Sequence, residues 1–417
     1  MSSAFAPLSD VDGPITHIFV ALPAHDRSLT APLLETFRGI RDALGFDVRC
    51  TVLHHGADEA VVREALAGPG PHPLDTIAWN EGFVLRLRDA ESRVEGSTLR
   101  ITRLGWPDYT NWVQDAFIVA RQPSGLRRVW ASPRVKRHHG GWDDAVPPRL
   151  AAHLGWDCET LPSGVEIGNV LVDEQSVVVG ADVPSTLGEA EWNSLRSWLE
   201  AGGRRVIVPA PDSPQPIFHL DLYVTLAGRR QPDRRPLALV GSVRRAREII
   251  GEACTDADVA TDAALTDVAA DLVTGGYAVE RLPLLPMRGA PTAPSRHDVW
   301  YSHNNCLVEV WRASDGRLRR RVTLPAYGAQ ENDPLESLDV EATRVWTSLG
   351  FEVTLVRGSF ARLAGLGGSI RCMTKVLERS HSVADAAEPL GMPAGASVAS
   401  SRRDAPSERS APPTPRR

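Results

Sequence analysis

The apolar positions of this chain fall into two alternating patterns. Short runs rich in Val, Ile and Leu alternate with polar residues at a period of two and predict strands. Longer stretches carry apolar residues at i, i+3 and i+4 and predict helices. From Asn111 onward the two recur in one order: strand, turn, strand, helix, strand. The first unit places strands at 112–120 and 126–131, a helix at 148–154 and a strand at 157–161. The second has 169–173, 176–180, a helix at 189–201 and 205–209. The third has 221–227 and 237–240, a long helical part at 244–275 with a break near Thr255, and 277–284. The fourth has 305–311, 319–324, a helix at 334–349 and 351–356. Glycines close the helices at Gly155, Gly202, Gly275 and Gly350.

The two termini predict a fifth unit. Its first strand is 370–377, and the remainder lies at the other end of the chain: a strand at 17–22, a helix at 31–44 and a strand at 46–53. Pairing the termini closes a ring and removes free sheet edges, as in propeller-like folds. The alternative is an ordinary α/β sheet in which four units happen to look alike. The same element order in every unit favours the repeat. Residues 54–104 fit the unit poorly; they hold a helix at 58–66 and a Gly-Pro-Gly-Pro turn at 68–71. The expected organisation is a single catalytic domain over 1–378, followed by a tail over 379–417. That tail is rich in Ser, Ala, Pro and Arg without periodicity, which predicts disorder.

Composition narrows the class. The chain has 417 residues, 42% hydrophobic and 24% charged, enough for a sizeable core. Its formal net charge of -6 disfavours a nucleic-acid partner. The five cysteines are scattered, with no CxxC pair, so neither a zinc site nor a disulfide framework is expected and a reducing compartment is. No stretch approaches the roughly 20 apolar residues of a membrane span. The run Ile18 to Leu22 is too short for a secretory segment and lacks a preceding basic region. A soluble, cytoplasmic protein with no membrane partner is expected. Arginines cluster at the turns between the first two strands of several units, as at Arg127-Arg128 and Arg317 to Arg321, which suits solvated hairpins better than an anion-binding rim.

The candidate chemistry lies where each unit begins. There the chain puts Trp112-Val113-Gln114-Asp115, then Glu166-Ile167-Gly168-Asn169, His219-Leu220-Asp221, Asn304-Asn305 and Arg371-Cys372. The last follows a glycine-rich stretch, Gly365-Leu366-Gly367-Gly368-Ser369, which bends tightly or lets something approach closely. His219 and Asp221, two apart, would share one face of a strand. Taken singly, each has a bland reading: a buried structural thiol, a satisfied core histidine, carboxylates bonding backbone amides. Taken together, three acids, a histidine and a cysteine at equivalent points of a repeat suit a planar cation. Paired carboxylates grip it by charge-assisted hydrogen bonds, the cysteine attacks, and the histidine moves protons. A guanidinium group meets that description, and its charge beside the thiol lowers the thiol pKa.

The ordered set resembles the guanidino-group-modifying enzymes of the pentein superfamily, most closely the agmatine deiminase and bacterial peptidyl-arginine deiminase-like branch. Trp112 to Asp115 is similar to that family's Trp-x-Arg-Asp element, Glu166 to Asn169 to its Glu-Gly-Gly-Asn element, and His219 to Asp221 to its His-x-Asp element. Gly367 to Thr374 resembles the glycine-rich segment ending in His-Cys-x-Thr. The resemblance spans roughly residues 15 to 378. It implies a five-bladed αβ-propeller of ββαβ units and needs no metal or organic cofactor. It implies Cys372 as nucleophile, His219 as general acid/base and Glu166 as either the histidine's partner or a group that helps hold the substrate. Asp115 and Asp221 would hold the guanidinium, with Trp112, Asn169 and Arg371 as further substrate-binding residues. The chain departs from the pattern at Gln114 (usually Arg), Ile167 (Gly) and Arg371 (His), which leaves the particular guanidine open; Arg371 would suit a substrate carboxylate or simply face solvent beside the cysteine. The loop 137–142 (Arg-His-His-Gly-Gly-Trp) reads as a lid or as a plain connection. The expected activity is hydrolysis of a small guanidine. An amidinotransferase, which passes the amidino group to an amine, is the alternative, and a non-catalytic binding protein on the same fold is the third reading. A homo-oligomer is compatible with all three.

Overall fold

The computed structural model of the protein describes residues 5–23, 27–45, 47–68, 74–79, 109–133, 143–230, 235–287, 299–328 and 333–380. These fall within one compact unit, Met1–Ala384. The loop 137–142, most of the turn at 68–71 and the tail from 381 lie outside the described residues. The fold is mixed α/β, with the described strands in five separate sheets.

One wiring recurs in all five. Strand β5 (Phe117–Arg121) pairs antiparallel with β6 (Arg127–Ala131), and a helix at Val146–Leu154 returns the chain to β7 (Asp157–Thr160), parallel to β6. The edge strand β1 (Ala6–Pro7) joins this sheet beside β5. The second sheet has β8 (Val170–Val172) antiparallel to β9 (Ser176–Val179), then β10 (Arg205–Ile207) parallel to β9. In the third, β11 (Val224–Arg230), β12 (Pro236–Ser242) and β13 (Ala278–Met287) repeat the scheme, and β14 (Val299–Ser302) extends it. In the fourth, β15 (Leu307–Arg312) and β16 (Leu318–Pro325) form the hairpin, and β17 (Glu352–Val356) follows the helix Pro334–Ser348.

The fifth sheet joins the two ends of the chain. Strand β18 (Lys375–Arg379) pairs antiparallel with β2 (Ile15–Ala21), whose parallel neighbour β3 (Arg49–His55) follows the helix Thr30–Leu44. Strand β4 (Asp75–Trp79), in the stretch 54–104 where the sequence predicts strand-like pieces without bounds, adds a parallel edge. Residues of the leading strand of every sheet line one internal cavity of about 40 Å³, among them Ile118, Val170, Leu226, Val308 and Val376. Of these strands, β5 and β8 read as near-continuous apolar runs because both of their faces are covered.

The chain's ends are tied down by specific bonds. The segment before β2 crosses three sheets: Leu8 N–H donates to Val119 O at 2.8 Å, Asp10 N–H to Val172 O at 2.8 Å, and Gly13 N–H to Val310 O at 2.9 Å. Glu309, fully buried, accepts from both Nη2 and Nε of Arg321 and from Ile15 N–H at 2.7 Å. Truncating one partner of such a pair costs about 3–5 kcal/mol, because the other charge is left buried. Arg379 donates to the carbonyls of Val11, Gly13 and Val308. The folded chain therefore runs through Arg379, which the sequence placed at the start of the tail.

The break expected near Thr255 is present, and one other expectation is corrected. The long helical part of the third unit is two helices, Val243–Ile250 and Asp256–Thr274. Thr255 caps the second, accepting from Asp258 N–H while the Asp258 carboxylate accepts from Thr255 N–H. The polar residues that lead each unit are not in the strands. Asp115 lies in a turn ahead of β5, and Glu166 precedes the 3-10 turn Ile167–Asn169. His219 precedes the 3-10 turn Leu220–Leu222, and Cys372 lies in the helical turn Ile370–Met373. Alternating apolar residues leading into a strand read as more strand, whereas tight backbone turns are what swing these side chains together.

Candidate active site

The turns ahead of five strands bring their polar residues to one place. Cys372 is buried, with its backbone N–H donating to Asn305 Oδ1 at 3.1 Å and its Sγ accepting from Asn305 Nδ2 at 3.0 Å. The Asp221 carboxylate lies beside it, with Oδ2 3.8 Å from Sγ. His219 is 3% exposed; its Nε2 is 3.1 Å from Glu166 Oε2 and its Nδ1 is 3.8 Å from Asp115 Oδ1. Asp115 Oδ1 also accepts from Gly168 N–H at 2.9 Å.

Glycine is required at two points of this construction. A Cβ on Gly168 would stand 2.6 Å from His219 Nδ1 and 2.9 Å from Asp115 Oδ1. A Cβ on Gly368 would stand 2.5 Å from the Trp112 ring and 2.9 Å from Cys372 Cβ. The glycine-rich stretch thus lets the indole of Trp112 lie against the backbone that carries the cysteine.

The charges are strongly coupled. Burial pushes the Cys372 thiol up and Asp221 adds to it, so that it reaches about 11 despite the opposing effect of His219. For His219, burial works against protonation, but Asp115, Cys372, Glu166 and Asp221 outweigh it and hold the imidazole well above its usual range. Burial and the nearby Asp221 and Glu166 raise Asp115, against the pull of His219 and the Gly168 amide. At neutral pH the site therefore holds a thiol and an imidazolium. A further positive charge beside the sulfur would favour its thiolate.

The remaining predicted residues do other things. Arg371, read as a partner for a substrate carboxylate, is 5% exposed and paired within the chain: Nη1 donates to Asp221 Oδ2 at 2.7 Å, and Nη2 to Asp10 Oδ1 and Val170 O at 3.0 Å each. Gln114 turns its amide oxygen to the same guanidinium, 2.9 Å from Nη2 and 3.3 Å from Nη1; only the oxygen suits that side, because a guanidinium can only donate. Asn169 bonds the backbone on either side of His219, accepting from Leu220 N–H at 3.1 Å and donating to Phe218 O at 3.3 Å, so it places the histidine. Lys375 lies behind the site with Nζ 3.4 Å from Gln114 O, and burial lowers it to about 7. Asp10, Asn305 and Lys375 were not among the predicted site residues. Asn305 carried a signal, the Asn304-Asn305 pair at the start of the fourth unit; Asp10 carried none.

The fold belongs to a known class. No family model matches the chain, and no curated protein matches it in sequence. Among solved structures it is similar to agmatine deiminases. The agmatine deiminase of C. jejuni superposes with a TM-score of 0.58 at 11% identity, over 89% of this chain and 95% of that one. The agmatine deiminase of Enterococcus faecalis gives a TM-score of 0.56 at 14% identity, with the same two coverages. The chain is therefore similar in fold to agmatine deiminases over 89% of its length.

Proposed function

We propose that this chain is a cysteine-dependent hydrolase of guanidino compounds, a deiminase acting on an agmatine- or arginine-like substrate. The five sheets are read as the blades of an αβ-propeller of ββαβ units, forming one catalytic unit. The observation that carries the reading is the gathering of Cys372, His219, Glu166, Asp115 and Asp221 at the leading ends of separate sheets. The likeness in fold to agmatine deiminases and the ordered motifs support it.

In this reading Asp115 and Asp221 hold the guanidinium nitrogens. The cation offsets the carboxylates that keep Cys372 protonated, so the thiol loses its proton to solvent as substrate binds. The sulfur attacks the guanidinium carbon, forming a C–S bond. His219, protonated at rest, gives its proton to the leaving nitrogen, and ammonia departs from an amidino-thioether. Neutral His219, oriented by Glu166, then takes a proton from water. The hydroxide adds to the same carbon, the C–S bond breaks, and a ureido product leaves with the thiolate restored.

The test is a panel of agmatine, arginine, methylated arginines and peptidyl arginine, assayed for ammonia and ureido product with and without acceptor amines. Turnover without an acceptor supports the hydrolase. Turnover only with an acceptor makes the protein an amidinotransferase, and no turnover on any guanidine refutes the reading.

A further inference from the structure

The Asp221 carboxylate has two oxygens in different situations. Oδ2 takes the Arg371 Nη1 hydrogen bond, while Oδ1 is buried with no hydrogen-bond partner. A buried carboxylate oxygen without a donor is costly, and a bound N–H would relieve it. Arginine and carboxylate ordinarily pair through two parallel hydrogen bonds, which here would cover Oδ1 as well. The second arm of Arg371 goes elsewhere: Nη2 is drawn to Asp10 Oδ1, Val170 O and the Gln114 amide oxygen, of which Asp10 alone carries a charge. Asp10 is itself fixed, since its Oδ2 accepts from Val172 N–H at 2.8 Å and its own N–H donates to Val172 O. It sits on the segment that crosses the sheets ahead of β2, far in sequence from the catalytic turns.

We propose that Asp10 is a positioning residue that holds Arg371 off a two-point grip on Asp221, leaving Asp221 Oδ1 for the substrate cation. The inference rests on the guanidine reading of the site. Two of the positions where the motifs depart from the resembled pattern, Gln114 and Arg371, touch one another, so the departures form one local rearrangement. Without Asp10, Arg371 closes on both Asp221 oxygens and occupies the place of the substrate guanidinium. A lysine at 371 cannot do this, because an ammonium is a point charge without a fork.

The experiment reads cation binding apart from turnover. Cys372 is alkylated with 2-chloroacetamidine, a cationic electrophile, and with 2-chloroacetamide, its neutral counterpart; in both cases sulfur displaces chloride and a thioether forms. The ratio of the two rates reports how well the site holds an amidine. Asp10→Asn keeps its oxygen as the acceptor for Val172 N–H and then presents an NH2 to Arg371, which can accept nothing from it. The ratio is expected to fall about tenfold in Asp10→Asn, with the neutral rate changed less than about twofold, and to recover in Asp10→Asn/Arg371→Lys. A merely structural role of Asp10 would give no recovery. An unchanged ratio in Asp10→Asn, or a loss that the double variant does not restore, overturns the proposal. No preference for the amidine in the native protein instead removes the guanidine reading itself. If Asp10→Asn does not fold, the structure of the native amidine adduct decides. The proposal requires the amidine on Asp221 Oδ1 with Arg371 still on Asp10, and an adduct that displaces Arg371 from Asp221 overturns it.

Discussion

Asn305 holds Cys372 at both ends: its Oδ1 accepts from the cysteine N–H, and its Nδ2 donates to the sulfur at 3.0 Å. The amide thus fixes the backbone turn and places a donor on the atom that must carry negative charge. A hydrogen bond to a charged group is worth about 1.5–3 kcal/mol. Asn305→Ala is expected to lower kcat about 10- to 100-fold with the fold retained. Steady-state kinetics with circular dichroism check this, and an unchanged kcat removes Asn305 from the site.

Gly168 is predicted to be intolerant of a single methyl group. Alanine there must push against His219 Nδ1 and Asp115 Oδ1, two groups whose spacing the mechanism needs. A displacement on the order of 1 Å costs roughly 100-fold in rate. Gly168→Ala should lose about that much kcat/KM while its melting temperature falls only modestly. Full activity would mean that His219 and Asp115 are not held as described.

The free thiol should titrate late. With Cys372 pushed up to about 11, its alkylation by a neutral reagent should quicken about tenfold per pH unit from pH 7 to 9 without levelling. A cationic amidine present at saturation should move the inflection lower. A rate that levels near the ordinary thiol value of about 8.5 would contradict the coupling to Asp221.

Lys375 carries a stability prediction. Its folded pKa is about 7 against an ordinary 10.5, so between those values the unfolded chain binds the extra proton. Stability therefore rises with pH across that window from this residue, by roughly 2 kcal/mol between pH 7 and 9. His219 works in the opposite direction, because its folded pKa is raised and its contribution is lost as pH climbs. Comparison with Lys375→Met isolates the lysine: the variant's advantage over the native chain should shrink by that amount between pH 7 and 9. A constant difference would show that the folded lysine keeps its proton across that range.

Much of this was legible in the sequence for a definable reason. The repeated hairpin–helix–strand order follows from apolar periodicity, which each unit states locally, and the pairing of β18 with β2 followed from the one unit split between the termini. The polar residues leading the strands stood out as interruptions of apolar runs. Their geometry was not legible. His219 and Asp221 come together through a 3-10 turn, where strand alternation was the expected cause. Arg371 was assigned to a substrate because its partner, Asp10, is 361 residues away and sits in a segment with no pattern of its own. Charge pairs across that separation leave no periodic trace, so only the folded chain reveals them.

The central claim is that Cys372 forms the bond to the guanidino carbon. The most direct measurement is intact-protein and peptide mass spectrometry of an acid-quenched reaction with the best substrate of the guanidine panel. The account predicts an adduct on the Cys372 peptide equal in mass to the substrate less the departing ammonia or amine, absent from Cys372→Ala, which should show no turnover above background. Turnover retained by Cys372→Ala, or an adduct on another cysteine, would contradict it.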